Sequence, residues 1–297
     1  MTWTDRRAHD DHDLCCTPAP GPTARTTQEQ GDRPARETDL RNEDAAVEPL
    51  EAAALAGAGL VAGGMNAVVG SGTLITFPTL LALGYPPVLA NVSNTVGLVP
   101  GVAGAVYGYR RELRGQRRRI LRFGTASLIG GLAGALLLLQ LPAEAFQAVV
   151  PVLILTACAL VLLQPVLSRR LAARSEDDDS DGGTPMWIGV LGTGVYGGYF
   201  GAAQGVILMG LFGTFVRDDL QRLNAVKNVL AALVNGVASI VFIIVTDVDW
   251  TAAGIIAIGS TLGGFLGAHL GRKLTPALMR TIIVTVGTTA ALTMIIR

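Results

Sequence analysis

The sequence predicts an all-α, polytopic membrane bundle built from two homologous repeats with broken or re-entrant short helices. Three observations carry this: the charge is partitioned, apolar runs of membrane-spanning length recur, and the second half repeats the first. The chain has 297 residues, 50% hydrophobic and 15% charged, with formal net charge zero and mean hydropathy +0.47. Eighteen of its 46 charged residues precede Ala52 and eight lie between Ser168 and Asp181, which leaves 20 for the rest. That remainder has the composition of lipid-embedded protein. A soluble enzyme is excluded on this ground, and balanced charge excludes a nucleic-acid binder, which needs a net basic face.

The chain divides into a polar tail (1–51), a first transmembrane repeat (52–167), a charged inter-repeat loop (168–185) and a second repeat (186–297). The tail carries six Arg, eleven Asp or Glu up to Leu50 and prolines that include Pro18, Pro20, Pro22 and Pro34, without an apolar stretch resembling a signal peptide, and reads as disordered. Its cluster His9, Asp10, Asp11, His12, Asp13, Cys15 and Cys16 holds metal-ligating types, but no fold fixes their geometry, so a solvated tail is the preferred reading. Cys158, in an apolar run, completes a cysteine set that implies no disulfide framework.

From there the apolar segments run approximately 52–69, 73–84, 87–109, 120–141, 145–167, 186–202, 204–216, 223–246, 250–271 and 276–296. At 1.5 Å per residue, 73–84 and 204–216 reach about 20 Å, short of the roughly 30 Å hydrocarbon core. Each follows a glycine-containing break, Gly70-Ser71-Gly72 in one case and Gly201-Ala202-Ala203-Gln204-Gly205 in the other. These segments are half-helices, re-entrant, or continuations of a broken helix.

A shift of 133 residues lays the second half on the first without a gap from about Leu55 to Leu163. It matches Gly64 with Gly197, Gly72 with Gly205, Asn91 with Asn224, Ser127 with Ser260 and Gly130-Gly131 with Gly263-Gly264. Most matched positions are small, which lets helices approach closely in lipid. Duplicated halves with breaks at corresponding places point to a secondary transporter whose site forms where discontinuous helices meet.

The positive-inside rule makes the loop with seven Arg between Arg110 and Arg122 cytoplasmic, and Arg169, Arg170 and Arg174 fall on the same side two spans later. The equivalent loop of the second half, 243–252, carries Asp247 and Asp249 but no cation, whereas its neighbours carry Arg217, Arg222, Arg272 and Lys273. Inverted repeats follow, provided each short segment folds back with its predecessor; four plain crossings per half would instead make the repeats parallel.

Lysine occurs twice among 23 cations, and Lys227 begins the second turn of an apolar helix. The repeat places Asn91, Asn94 and Thr95 opposite Asn224, Lys227 and Asn228, and positions i, i+3 and i+4 share a helix face. An ionisable group at membrane depth is a functional candidate, set against snorkelling to the headgroups. The amides and the hydroxyl also fit plain interhelical hydrogen bonding. Ser71 and Gln204 lie in the breaks, where half-helix N-termini favour an anion, with Ser71 the stronger candidate. Gly70, Gly72 and Gly205 let backbone approach a ligand, and Pro100 reads as a kink. The apolar runs lack carboxylates, which disfavours a cation carrier, and His269 reads as interfacial beside Arg272. No catalytic constellation, cofactor site or metal site appears.

The motifs Gly63-Gly64, Gly70-Ser71-Gly72-Thr73-Leu74, Phe77-Pro78, Leu83-Gly84-Tyr85-Pro86-Pro87 and Ala90-Asn91-Val92-Ser93-Asn94-Thr95 resemble the sulfite exporter TauE/SafE family. Val248-Asp249-Trp250, Gly259 and Gly263-Gly264-Phe265-Leu266-Gly267-Ala268 are similar to the family's later hairpin and helix, so the resemblance covers 52–297. The first break, Met65-Asn66-Ala67-Val68-Val69, is poorer in glycine than the family's, and Ala202-Ala203-Gln204 also departs, which puts the substrate in question. The resemblance implies a multi-pass transporter of a prokaryotic cell membrane moving sulfite, sulfonates or related anions. Composition and spacing alone support the lipid bilayer and a small anion, no more closely specified, as partners, with a homo-oligomer possible. The expected site is Lys227 as attractor, Asn91, Asn94, Thr95, Asn224 and Asn228 as hydrogen-bond donors, and Ser71, Gly72 and Gly205 lining the break. An anion channel and a non-transporting membrane scaffold are the alternatives.

Overall fold

The computed structural model describes residues 48–172, 182–216, 218–270 and 276–296. The tail with its His, Asp and Cys cluster, most of the charged linker, and Arg217, Arg272 and Lys273 lie outside the described residues. Ten helices follow in order among the described residues: α1 (Pro49–Val68), α2 (Thr73–Ala82), α3 (Pro87–Gly108), α4 (Arg117–Gln140), α5 (Ala143–Ala172), α6 (Gly183–Tyr199), α7 (Gln204–Phe215), α8 (Leu220–Val245), α9 (Trp250–Leu270) and α10 (Pro276–Ile296). No strand occurs among the described residues.

Among the described residues, six helices are long and apolar enough to cross a membrane: α1, α3, α4, the 143–163 part of α5, α8 and α9. The helices α2 and α7 have 10 and 12 residues, as the short apolar runs require. Several ends differ from those expected. α1 starts at Pro49, inside the predicted tail, because proline suits the first helical turn and Glu51 there faces the positive end of the helix dipole. α4 starts at Arg117 rather than at the first apolar residue, since arginines at a helix end remain in water while the backbone stays helical. α5 continues to Ala172 and α6 begins at Gly183, which narrows the predicted linker from both sides.

Helices 133 residues apart match in order, α1 with α6 through α5 with α10, and their packing is reciprocal. α1 and α3 pack on α9; their counterparts α6 and α8 pack on α4; α2 lies on α10 and α7 on α5. The packing surfaces are glycine-rich because backbone meets backbone. A Cβ on Gly63 or Gly101 would run into the main chain of Ser260, and one on Gly198 into that of Gly131. Contacts advance together along α1 and α9 (Gly59 by Ile256, Gly64 by Gly267), along α3 and α9 (Gly97 by Ala253, Gly108 by Ala268), and along α4 and α6 (Gly130 by Leu191, Gly134 by Val195). Between α3 and α8 the order is reversed. Tyr109, just past the end of α3, packs on Ala225 near the start of α8, whereas Ser93 near the start of α3 accepts the Asp249 amide beyond the end of α8 at 3.0 Å.

Candidate functional site

Both breaks are largely buried in this packing, and they touch. α1 ends at Val68 and α2 starts at Thr73; Gly70 takes φ +82°. In the second break its counterpart Ala203 takes φ +57°, a left-handed conformation unusual for a residue with a Cβ. The Gly205 amide donates to the Gly70 carbonyl at 3.1 Å. The two backbones are so close that a Cβ on either glycine would fall 2.5 Å from the other's Cα. The junction is therefore a main-chain crossing that admits no side chain.

Breaking a helix leaves its last carbonyls without partners, and α8 supplies them. The Met65 carbonyl still accepts Val69 and Gly70, so Asn66 and Ala67 present the first orphan carbonyls. The Lys227 ammonium donates to the Asn66 carbonyl at 3.2 Å and the Ala67 carbonyl at 3.4 Å. The side-chain amides of Asn224 and Asn228 both donate to the Ala67 carbonyl at 3.2 Å. A cation at a helix C-terminus also meets the negative end of the dipole. Lys227 is fully buried, against the snorkelling alternative, and no carboxylate of the described residues pairs with it. Its stem lies over Gly205, where a Cβ would approach Lys227 Cδ to 3.0 Å.

The other half repeats the arrangement with neutral groups. Asn91 on α3 donates to the carbonyl of Tyr199, the last residue of α6, at 3.0 Å. Asn94, the counterpart of Lys227, accepts from the Thr76 hydroxyl and donates to Thr73 Oγ1 at 3.4 Å, so it holds the first turn of α2. Thr95 turns its hydroxyl back to the Asn91 carbonyl at 2.8 Å, which makes it a helix-internal contact rather than a free donor. The Gly72 amide donates to Asn66 Oδ1 at 3.1 Å.

Two groups at the junction keep unused capacity. Ser71 Oγ and Gln204 Nε2, counterparts under the 133-residue shift, are buried without a hydrogen-bond partner among the described residues, and so are Asn91 Oδ1 and Asn224 Oδ1. Such groups are costly unless something pairs with them. Sequence reasoning placed Ser71, Gln204, Gly205 and Lys227 here. It missed Asn66, Thr73 and Thr76; the signal for the threonines was hydroxyls three residues apart, at Thr73, Thr76 and Thr79, in an otherwise apolar half-helix. The expected residues thus fall into two sets, Asn224, Lys227 and Asn228 on the end of α1 and Asn91 and Asn94 on the end of α6 and the start of α2.

A polar cluster joins the α3–α4 and α7–α8 connections at one end of the bundle. Asp218 receives Arg119 at 2.7 Å and Arg222 at 2.8 Å. Gln116 donates to the Arg222 carbonyl at 3.0 Å, and Arg222 to the Arg114 carbonyl at 3.3 Å. Burial pushes the Asp218 carboxyl up, but hydrogen bonds from Arg119 and the Asp219 amide and the charges of Arg222 and Arg119 outweigh it, holding the group below the ordinary carboxylate value.

The family model described as sulfite exporter TauE/SafE matches residues 55–294. The chain belongs to the TauE/SafE family. It is 27% identical over 219 residues, 73% of this chain and 79% of the relative, to the probable membrane transporter protein YfcA of Escherichia coli strain K12. A probable membrane transporter protein of Haemophilus influenzae is 26% identical over 211 residues (70% and 80%), and the probable membrane transporter protein ORF9 of a Sinorhizobium species 25% over 210 (69% and 77%). No solved structure matches the chain. The family match, the relatives' names and six apolar helices together support a membrane transporter of the TauE/SafE family.

Proposed function

We propose that this chain is a secondary transporter of a prokaryotic cell membrane that moves a small oxyanion, sulfite or a sulfonate, by alternating access. The observation that carries the reading is a fully buried ammonium without a carboxylate counter-charge among the described residues, beside two meeting breaks with unpaired buried donors. An anion bound beside this crossing would supply the missing charge to Lys227 and acceptors to Ser71 Oγ and Gln204 Nε2. Charge-assisted hydrogen bonds are about twice as strong as neutral ones, so affinity and selectivity for anions come from the same groups.

Alternation needs two halves that exchange roles, and the helix directions support an inverted relation. α1, α3 and α9 run one way and α4, α6 and α8 the other, so matched helices α3 and α8 are antiparallel. A fold-back of the short α2 between α1 and α3 would supply the odd crossing that inversion requires. The Arg119–Asp218–Arg222 cluster bridges the halves at the Arg-rich end, where it holds one face shut.

Counterflow of radiolabelled sulfite in proteoliposomes, with taurine as a second anion, tests this. Saturable counterflow that Lys227→Gln abolishes is the expected result. Conductive flux without counterflow would make the protein a channel, and equal flux in both forms would remove the lysine from the site.

A further inference from the structure

A second site lies away from the junction, where α3 and α9 end together. Gly108, Arg110, Arg111, Glu112, Ala268 and His269 line a cavity of about 250 Å³. At roughly 30 Å³ per water, that is the space of about eight waters, enough for a phosphodiester and a glycerol. The lining holds two guanidiniums and one carboxylate, so its charge favours an anion. Arg110 is held by its environment: its guanidinium stacks 4.2 Å over the Tyr107 ring and donates to the Tyr107 carbonyl at 3.1 Å. Its remaining N–H groups are left to recognise a ligand, since a guanidinium carries five donors.

The surface running away from the cavity identifies the ligand class. His269 Nδ1 lies 2.9 Å from the Phe265 carbonyl, and along the same face of α9 stand Phe265, Leu262 and Ile258, 38%, 56% and 68% exposed. Tyr107 of α3, 58% exposed, packs edge-on against Phe265 with ring centroids 6.0 Å apart. A polar cavity thus caps an exposed apolar track with an aromatic pair at the boundary, the order of groups found along a phospholipid at a membrane surface.

We propose that this cavity binds the phosphate of an anionic glycerophospholipid, its acyl chains lying along Phe265, Leu262 and Ile258. The Arg-rich loop places the site in the cytoplasmic leaflet. A free phosphate shares the headgroup chemistry but leaves the apolar track uncovered.

Native mass spectrometry of the full chain, released from detergent with phosphatidylglycerol, phosphatidylcholine or inorganic phosphate added, reads occupancy directly. Wild type should retain one phosphatidylglycerol in preference to phosphatidylcholine, and excess inorganic phosphate should leave it bound. The double substitution Arg110→Gln/Arg111→Gln should weaken retention about thirtyfold, the effect of losing two guanidiniums at an anionic surface. Arg117→Gln/Arg118→Gln removes equal charge from exposed positions outside the cavity and should change it less than about threefold. Equal losses in the two double variants would reduce the effect to diffuse charge and overturn the site. Equal retention of phosphatidylcholine, or displacement by inorganic phosphate, would overturn the lipid; both arms use wild type and stand even if a variant fails to fold.

Discussion

Substituting Gly205 by alanine tests the main-chain crossing at the heart of the site. The new Cβ would sit 2.5 Å from Gly70 Cα, 3.1 Å from the Gly70 carbonyl oxygen and 3.0 Å from Lys227 Cδ. Backbone cannot rotate away as a side chain can, so the two breaks must part by about an ångström. Overpacking of this kind costs about 1–3 kcal/mol, and stretching the Gly205 amide to Gly70 carbonyl bond loses about 1 kcal/mol more. The sum, about 2–4 kcal/mol, corresponds to a fall of roughly 4–16 °C in the unfolding midpoint. Gly236→Ala is the matched control, because a Cβ there meets nothing within 4 Å and alanine favours the helix. Midpoints in detergent and sulfite uptake in proteoliposomes should both fall for Gly205→Ala and stay near wild type for Gly236→Ala. A Gly205→Ala protein as stable and active as the control would refute the close crossing.

Three further outcomes follow from the geometry. Asp218→Asn should lose about 1–2 kcal/mol by removing the negative charge between Arg119 and Arg222 and one of its two acceptor oxygens, on a side chain that is 19% exposed and so only partly screened. Because the folded Asp218 carboxyl is held below its ordinary value, its contribution is present above the unfolded value of about 4 and disappears as pH falls through the lower folded value. Wild type and Asp218→Asn midpoints should therefore differ at pH 6 and converge only in strong acid. Thr76→Val should leave Asn94 Oδ1 buried without its donor and destabilise by about 1–3 kcal/mol, whereas Thr95→Val, which breaks only a helix-internal bond, should stay within about 1 kcal/mol; chemical denaturation separates them. Cysteines at the exposed positions 111 and 247 should label from opposite sides of sealed vesicles, and labelling from one side would rule out inverted halves.

The helices and breaks were legible in the sequence because length and hydropathy are local properties that the bilayer reads directly. The matched helix order was legible because duplication leaves a constant shift. Helix ends were less so: Pro49 and Arg117 start helices inside polar sequence, where composition changes before the backbone does. The prominence of Lys227 could be read from its isolation, but its partners could not. Asn66 and Ala67 lie about 160 residues away, and their carbonyls need donors only because α1 stops at Val68. Ala203 gave no hint of its left-handed backbone, since only the first break carries glycine at that position. The Arg119–Asp218 pair joins two loops that hydropathy treats as unrelated.

The most direct test is sulfite binding to purified wild type and Lys227→Gln, followed as ligand-dependent thermal stabilisation in detergent. Glutamine retains an N–H donor for the orphan carbonyls of α1 while removing the charge, so both proteins should fold. Saturable stabilisation of the wild type, absent from Lys227→Gln, is the predicted result. Equal stabilisation of the two would leave the ammonium a cap on a broken helix and nothing more.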